Sequence, residues 1–204
     1  MRRISVVGNS GSGKTTVAIG IASALGVPHL ELDAVFHQPN WEPLERELFR
    51  ARVAQFIAAD GWVVDGNYSA VSDLVWQRAD TVVWMDLPRR QIMRQLAART
   101  IRRMITRTEL WNGNTESLRN LLRLDPEESI LLWAWTQHAK YVQRYGSAQR
   151  DPANRHLTFI RLRSRAEAAR FLADLAAEAA RGTPQAAGGL GEAGAAAGGG
   201  TTGE

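Results

Sequence analysis

The sequence predicts a three-layer α/β protein, a parallel sheet covered by helices on both faces. Two observations carry the prediction. Five short apolar runs alternate with stretches whose apolar residues recur at helical spacing. The first run leads through a glycine-rich loop into the first helical stretch. A length of 204 residues, with 45% hydrophobic and 23% charged side chains, suits a folded globular unit rather than a disordered or fibrous chain.

The first strand is predicted at Ile4-Ser5-Val6-Val7, ending in Gly8. A helix follows from Lys14, with Val17, Ile21 and Leu25 on one face, and Gly26-Val27-Pro28 stops it. His29-Leu30-Glu31-Leu32-Asp33 reads as a second short strand with Asp33 at its carboxyl end. Beyond Pro39 and Pro43, the spacing of Leu48, Phe49, Val53, Phe56 and Ile57 predicts a helix over 44–59. Trp62-Val63-Val64-Asp65 is the third strand, broken by Gly66-Asn67. The fourth run, 81–87, ends at Pro88, whose fixed backbone angle suits the first turn of a helix reaching about Arg107. Trp111-Asn112-Gly113-Asn114 predicts a turn and Leu118 to Leu124 a short helix. Asp125-Pro126-Glu127-Glu128 starts a helix running to about Tyr145, its acids favoured by the helix dipole. Leu157 to Leu162 is the fifth strand, and Ser164 can cap a final helix over 165–180.

Nine of the 18 glycines follow Arg181, and Leu190 is the only large apolar side chain among them. So little apolar surface cannot offset the entropy of ordering, so the reading is a folded unit at 1–181 and a disordered Gly/Ala-rich tail at 182–204. The absence of cysteine excludes disulfides and thiolate metal sites. No run of 18 apolar residues occurs, and Met1-Arg2-Arg3 passes at once into the first strand, so a cytoplasmic protein without a membrane span is expected. Nine arginines lie between Arg89 and Arg123 against only Glu109 and Glu116. Such a field attracts phosphates, whether on a small nucleotide or on a nucleic acid. With two lysines against 23 arginines in the whole chain, the choice of arginine at any one position says little.

Gly8-Asn9-Ser10-Gly11-Ser12-Gly13-Lys14-Thr15 fits the phosphate-binding pattern G-x-x-x-x-G-K-[ST] at every fixed position, between a strand and a helix as the pattern requires. Glycines let the backbone wrap closely around phosphate oxygens, and the helix behind aims its positive end at the same place. The stretch from Gly8 to Thr16 is therefore expected to bind ATP. Lys14 would reach the β and γ phosphates, and Thr15 would offer its hydroxyl to Mg2+.

Open parallel sheets bind ligands beyond the carboxyl ends of their strands, which puts Asp33, Asp65 and Asp86 on the same edge as Lys14. Asp65 is assigned to the outer shell of the metal. Asp33 is assigned to the acceptor side, to take the proton of the acceptor hydroxyl or to fix the acceptor. The alternative for each acid is a loop cap at a strand end. Arg99, Arg103 and Arg107 form one helical stripe, with Arg102 to its side and Leu96 next to its start. The stripe either closes over a triphosphate or is a solvated face. His37, Trp41 and Tyr68 fall in the expected acceptor region, where aromatic rings could stack on a planar substrate. Trp111, Trp133 and Trp135 read as core, and Arg46 or Arg50 could hold an acidic acceptor.

The loop, Leu32-Asp33-Ala34-Val35-Phe36-His37, Trp62-Val63-Val64-Asp65-Gly66-Asn67-Tyr68-Ser69, Leu87-Pro88-Arg89-Arg90 with its arginine helix, and Leu110-Trp111-Asn112-Gly113-Asn114 together resemble the P-loop kinases known as adenylate kinase-related or topology modulation proteins. The resemblance runs from about Arg3 to Leu172. It implies a P-loop NTPase fold of the nucleoside monophosphate kinase and shikimate kinase kind, with sheet order 2-3-1-4-5 and a helical lid over about 99–125. It also implies ATP and Mg2+ as phosphate donor. By the same resemblance Arg99 and Arg103 are lid-proximal catalytic arginines touching ATP, and Arg163 and Ser164 lie near the adenine. Adenylate kinases close their third strand with Asp-Gly-Phe-Pro-Arg, whose arginine helps hold AMP, whereas this chain has Asp65-Gly66-Asn67-Tyr68-Ser69. The leading expectation is a phosphotransferase acting on a small-molecule acceptor. The alternative is a nucleotide-dependent regulatory protein whose arginine segment contacts DNA, with the steep salt dependence such contacts bring.

Overall fold

The computed structural model describes residues 1–106, 109–114 and 130–182. Five strands, β1 (Arg3–Gly8), β2 (His29–Glu31), β3 (Trp62–Asp65), β4 (Thr81–Met85) and β5 (Thr158–Leu162), form one sheet in the order β2-β3-β1-β4-β5. Every pairing is parallel, with Val6 opposite Asp65 and Gly8 opposite Met85. The helices are α1 (Lys14–Leu25), α2 (Leu32–Phe36), α3 (Arg46–Phe56), α4 (Ser69–Arg78), α5 (Arg89–Thr106), α6 (Ile130–Ala148) and α7 (Arg165–Gly182). No described helix is long and apolar enough to cross a membrane.

Strand alternation creates two cores, because successive side chains leave a strand on opposite faces. Ile4, Val6, Val63, Val83 and Met85 pack with Val17, Ile21 and Ala22 of α1 and Leu175 of α7. Val7, Val64, Val82 and Trp84 pack on the other face with Phe49 and Val53 of α3, Val71 and Val75 of α4, and Tyr145 of α6. The central strands are buried on both faces, which is why they read as continuous apolar runs.

Several elements differ from the sequence reading. β2 stops at Glu31, so Asp33 lies in α2 rather than at a strand end. The last register pair is Glu31 with Asp65, after which Gly66 turns away at φ 143 and leaves Leu32 no ladder partner. Leu32 instead packs against Gly66, where an added Cβ would stand 2.8 Å from the Leu32 Cβ. Helix α4 was not anticipated, although Val71, Leu74 and Val75 have helical spacing. The expected helix at 44–59 is limited to Arg46–Phe56, with Glu45 as its cap, accepting from the Glu47 and Leu48 amides. α6 continues past Tyr145 and Gly146 to Ala148. At the start of α7, Ser164 accepts from the Glu167 amide while Glu167 accepts from the Arg163 amide, so each side chain satisfies an amide at the helix start. The helix expected at Leu118 to Leu124, the start at Asp125 and the tail beyond Gly182 lie outside the described residues.

Ile21 is fully buried between α1, the sheet and α7. Ile21→Ala is expected to lower unfolding free energy by about 2–5 kcal/mol, through lost burial and the cavity left behind. Urea denaturation measures it, and a loss below about 1 kcal/mol would mean that the helix does not seal this core.

Candidate active site

The loop between β1 and α1 is held from behind by Asn67. Its Nδ2 donates to the Gly8 carbonyl at 2.6 Å and its Oδ1 accepts from the Gly8 amide at 3.1 Å. The side chain thus continues the pairing of β3 with β1 past the point where the β3 backbone turns off. Tyr145 donates to the same Oδ1 at 2.9 Å. Asn9, expected as a nucleotide ligand, is buried and faces α6, donating to the Ala134 carbonyl at 2.7 Å and accepting from the Ser10 amide. Gly11 sits at φ 80 against α5, where a Cβ would come within 2.8 Å of Leu96, so only glycine fits there.

Lys14 and Thr15 open α1 beside the ends of β2 and β3. Thr15 Oγ1 donates to Asp65 Oδ2 at 2.6 Å and lies 3.3 Å from Glu31 Oε1. Asp65 is fully buried and its other oxygen meets His29 Nε2 at 3.0 Å. Glu31, which the sequence reading missed, also accepts from the Trp111 indole N–H at 2.9 Å. Burial pushes its carboxyl above the usual value against that hydrogen bond; the neighbouring Asp65 and Asp33 add to the rise, and Lys14 opposes it.

Lys14, Thr15, Glu31 and Trp111 border one cleft of about 1450 Å³, whose lining does not include Asp65 or His29. Ser10 to Val17 line it, together with Arg99 and Arg103 of α5. Arg99 Nη2 is 3.5 Å from Ser10 Oγ. Arg107 of the same stripe lies outside the described residues, and Arg102 is exposed. At the α7 side the lining is Arg165, Ala168, Ala169 and Leu172. Arg163, expected beside the adenine, is exposed and outside this lining.

Asp33 lines the other end of the cleft and accepts from the Tyr68 hydroxyl at 2.7 Å. Burial, and then the charge of Asp33, raise the Tyr68 pKa far above the ordinary phenol value, so the phenol stays a donor. His37 Nε2 is 3.3 Å from the same hydroxyl, and burial lowers the imidazole pKa, so the ring is neutral at pH 7. Trp41 and Trp111 meet edge to face at 6.3 Å, and His37 stacks on Trp111 at 5.9 Å.

The segment that carries Trp111 is stitched to the chain after β2. Asn112 donates to the His37 carbonyl, and Asn114 accepts from the Trp41 amide and donates to the Gln38 carbonyl. Asn40 and Trp41 at φ 62 and Asn112 at φ 55 hold left-handed backbone, rare for a bulky residue and concentrated at functional sites.

Other expectations are revised. Trp111 lines the cleft, and Trp135 is 48% exposed under the guanidinium of Arg89, so neither is core. The Trp133 side chain lies outside the described residues. Asp86 is not on the cleft; it pairs with Arg161, which stacks on Trp84. Arg50 is bound by both nitrogens to Asp73, pulling that carboxyl down to about 2, and Arg46 is exposed away from the cleft.

The residues present suit a nucleotide with Mg2+. One hydroxyl, Thr15, stands among outer carboxylates, and no group of three or more His, Asp or Glu among the described residues could cage a metal alone. Mg2+ retains waters and shares its ligands with phosphate, so it needs no such cage. Inside the loop, Ser12 Oγ is buried with no partner among the described residues.

Comparison with protein-family models gives no match, and neither does comparison with curated proteins. Among solved structures, the chain is similar to a shikimate kinase from Bacteroides thetaiotaomicron, 16% identical over 85% of this chain and 95% of that one, with a TM-score of 0.51. It is similar also to a shikimate kinase from Acinetobacter baumannii in complex with shikimate, at 15% identity, 86% and 90% coverage and a TM-score of 0.50. A gluconokinase from Sinorhizobium meliloti 1021 aligns at 21% identity over 88% and 92% with a TM-score of 0.44. The five-stranded parallel sheet in the order 2-3-1-4-5, with helices on both faces, is the fold of P-loop kinases.

Proposed function

We propose that this protein is an ATP- and Mg2+-dependent phosphotransferase with a small-molecule acceptor, of the adenylate kinase-related kind that its motifs resemble. One observation carries the reading. A single cleft joins a complete phosphate loop and its cations, Lys14, Arg99 and Arg103, to Asp33 at the opposite end. A nucleotide on the loop would direct its γ-phosphate toward the aspartate.

Each residue then has a task. The loop backbone and Lys14 hold the β and γ phosphates, and Arg99 and Arg103 neutralise charge as it spreads over the transferred group. Thr15 would release Asp65 to ligate Mg2+, with Asp65 and Glu31 left to orient the metal's waters. The metal supplies charge neutralisation at the phosphates. Asp33 has one oxygen held by Tyr68 and the other without a partner among the described residues. That oxygen would take the acceptor hydroxyl proton as the hydroxyl oxygen bonds to the γ-phosphorus and the bond to the departing ADP oxygen breaks. Arg99 and Arg103, on which DNA binding would draw, line the cleft instead, which favours the small-nucleotide reading.

Lys14→Ala is expected to lower turnover by at least about 100-fold while leaving the melting temperature within a few degrees, because Lys14 is the first residue of α1, lines the cleft and belongs to neither core. ADP release with a panel of acceptors, alongside thermal melts, measures both. Retained turnover would remove the loop from the chemistry.

The crowding of Glu31, Asp65 and Asp33 gives a second expectation. The folded pKa of Glu31 lies above its ordinary 4.5, so its contribution to stability is fully present below about pH 4.5 and falls as pH rises through the folded value. Glu31→Gln should therefore match the wild type in acid and exceed its melting temperature increasingly toward pH 7 without metal. A difference that shrinks as pH rises would contradict this.

A further inference from the structure

The acceptor end of the cleft carries the opposite charge to the nucleotide end. Its lining comes from α2 and the chain after it, from 67–69, from 109–111 and from Tyr141. Its charged residues are the acids Asp33 and Glu109, and Glu31 of β2 stands between it and the phosphate loop, 3.3 Å from Thr15 and within reach of the Lys14 charge. Every cation lining the cleft, Lys14, Arg99, Arg103 and Arg165, belongs to the phosphate loop, α5 or α7. Arg50 is paired with Asp73, and Arg144, which lies over the Tyr145 ring and whose charge reaches Tyr141, is not part of the lining. His37 adds no positive charge, since burial keeps it neutral.

An acceptor bearing a phosphate or a carboxylate would need a cation at this end, because a buried anion without a partner is strongly disfavoured. Among the described residues that line this end none is a cation, and the acids repel an anion. The apolar part of the lining is aromatic, from Phe36, Trp41, Tyr68, Trp111 and Tyr141. Trp41 keeps a left-handed backbone at an energetic cost, Asn114 binds its amide, and its indole packs edge to face against His37 and Trp111. Rings packed in this way offer a flat surface to a flat ligand.

Building on the phosphotransferase reading, we propose that the acceptor is a flat-ringed hydroxyl compound with no anionic group, lying against the Trp41–Trp111–His37 cluster with its hydroxyl on Asp33. Nucleosides rather than nucleoside monophosphates are the chemical type.

The test titrates the full chain, loaded with a non-hydrolysable ATP analogue and Mg2+, with adenosine, AMP, thymidine, thymidine monophosphate, shikimate and gluconate. Binding is read from tryptophan fluorescence, and transfer from ATP is read from ADP release. At least one nucleoside should bind about tenfold or more tighter than its monophosphate, and shikimate and gluconate should not saturate. Asp33→Asn and Glu31→Gln, each checked for folding by circular dichroism, should narrow the nucleoside preference. A monophosphate, shikimate or gluconate binding as tightly as the nucleosides would overturn the proposal, as would no response to any probe or a preference unchanged in both variants. Calorimetry with ATP and Mg2+ alone separates the two readings. Heat from that titration with failure of the panel defeats only the acceptor class, whereas its absence defeats the phosphotransferase itself.

Discussion

Asp65 is a carboxylate with no exposed surface, and removing such a group from water carries a penalty of several kcal/mol unless hydrogen bonds replace the lost solvent. The replacements come from two neighbouring elements. Thr15, at the start of α1, reaches one oxygen, and His29, at the start of β2, reaches the other. Only the order β2-β3-β1 brings both to the end of β3, so the topology of this half of the sheet and the buried acid depend on each other. The result is a rigid edge on which a phosphate loop can be mounted.

Asn67 extends that edge. Backbone pairing between β1 and β3 ends at Val6 with Asp65, and the Asn67 amide then satisfies both polar groups of Gly8. A side chain in this role fixes the first glycine of the loop without a further strand residue, leaving Tyr68 free to turn back toward Asp33. The stretch Asp65-Gly66-Asn67-Tyr68 thereby ties Thr15, Gly8 and Asp33 together within four residues.

The nucleotide half of the cleft was legible in the sequence because its chemistry is local. Gly8 to Thr15 is one contiguous segment, and Asp65 closes a strand whose limits, Trp62–Asp65, match the apolar run. The acceptor half was less so. Its bonds join residues far apart, Glu31 to Trp111 and Trp41 to Asn114, and no periodicity encodes them. An indole at an apolar position looks the same whether it faces a core or a cleft, which is why Trp111 and Trp135 read as interior. Asp33 lines the cleft, but from a different element from the one the alternation suggested. His29 to Asp33 alternates like a strand, but the ladder ends with Glu31, and α2 turns the aspartate toward Tyr68.

The division of charge across the cleft is what the proposed phosphoryl transfer would require. The donor end must hold several negative charges close together, and the loop, Lys14 and the α5 arginines supply the counter-field there. Asp33 stands 2.7 Å from the Tyr68 hydroxyl, and its charge reaches Glu31, as the charge of Lys14 also does. The same grouping sets what else can enter. Two like charges about 6 Å apart repel by about 3 kcal/mol at an effective dielectric near 20, enough to disfavour an anion by two orders of magnitude. On the proposed reading, Glu31, Asp33 and Glu109 around an aromatic floor would both serve the acceptor hydroxyl and disfavour an anion beside it.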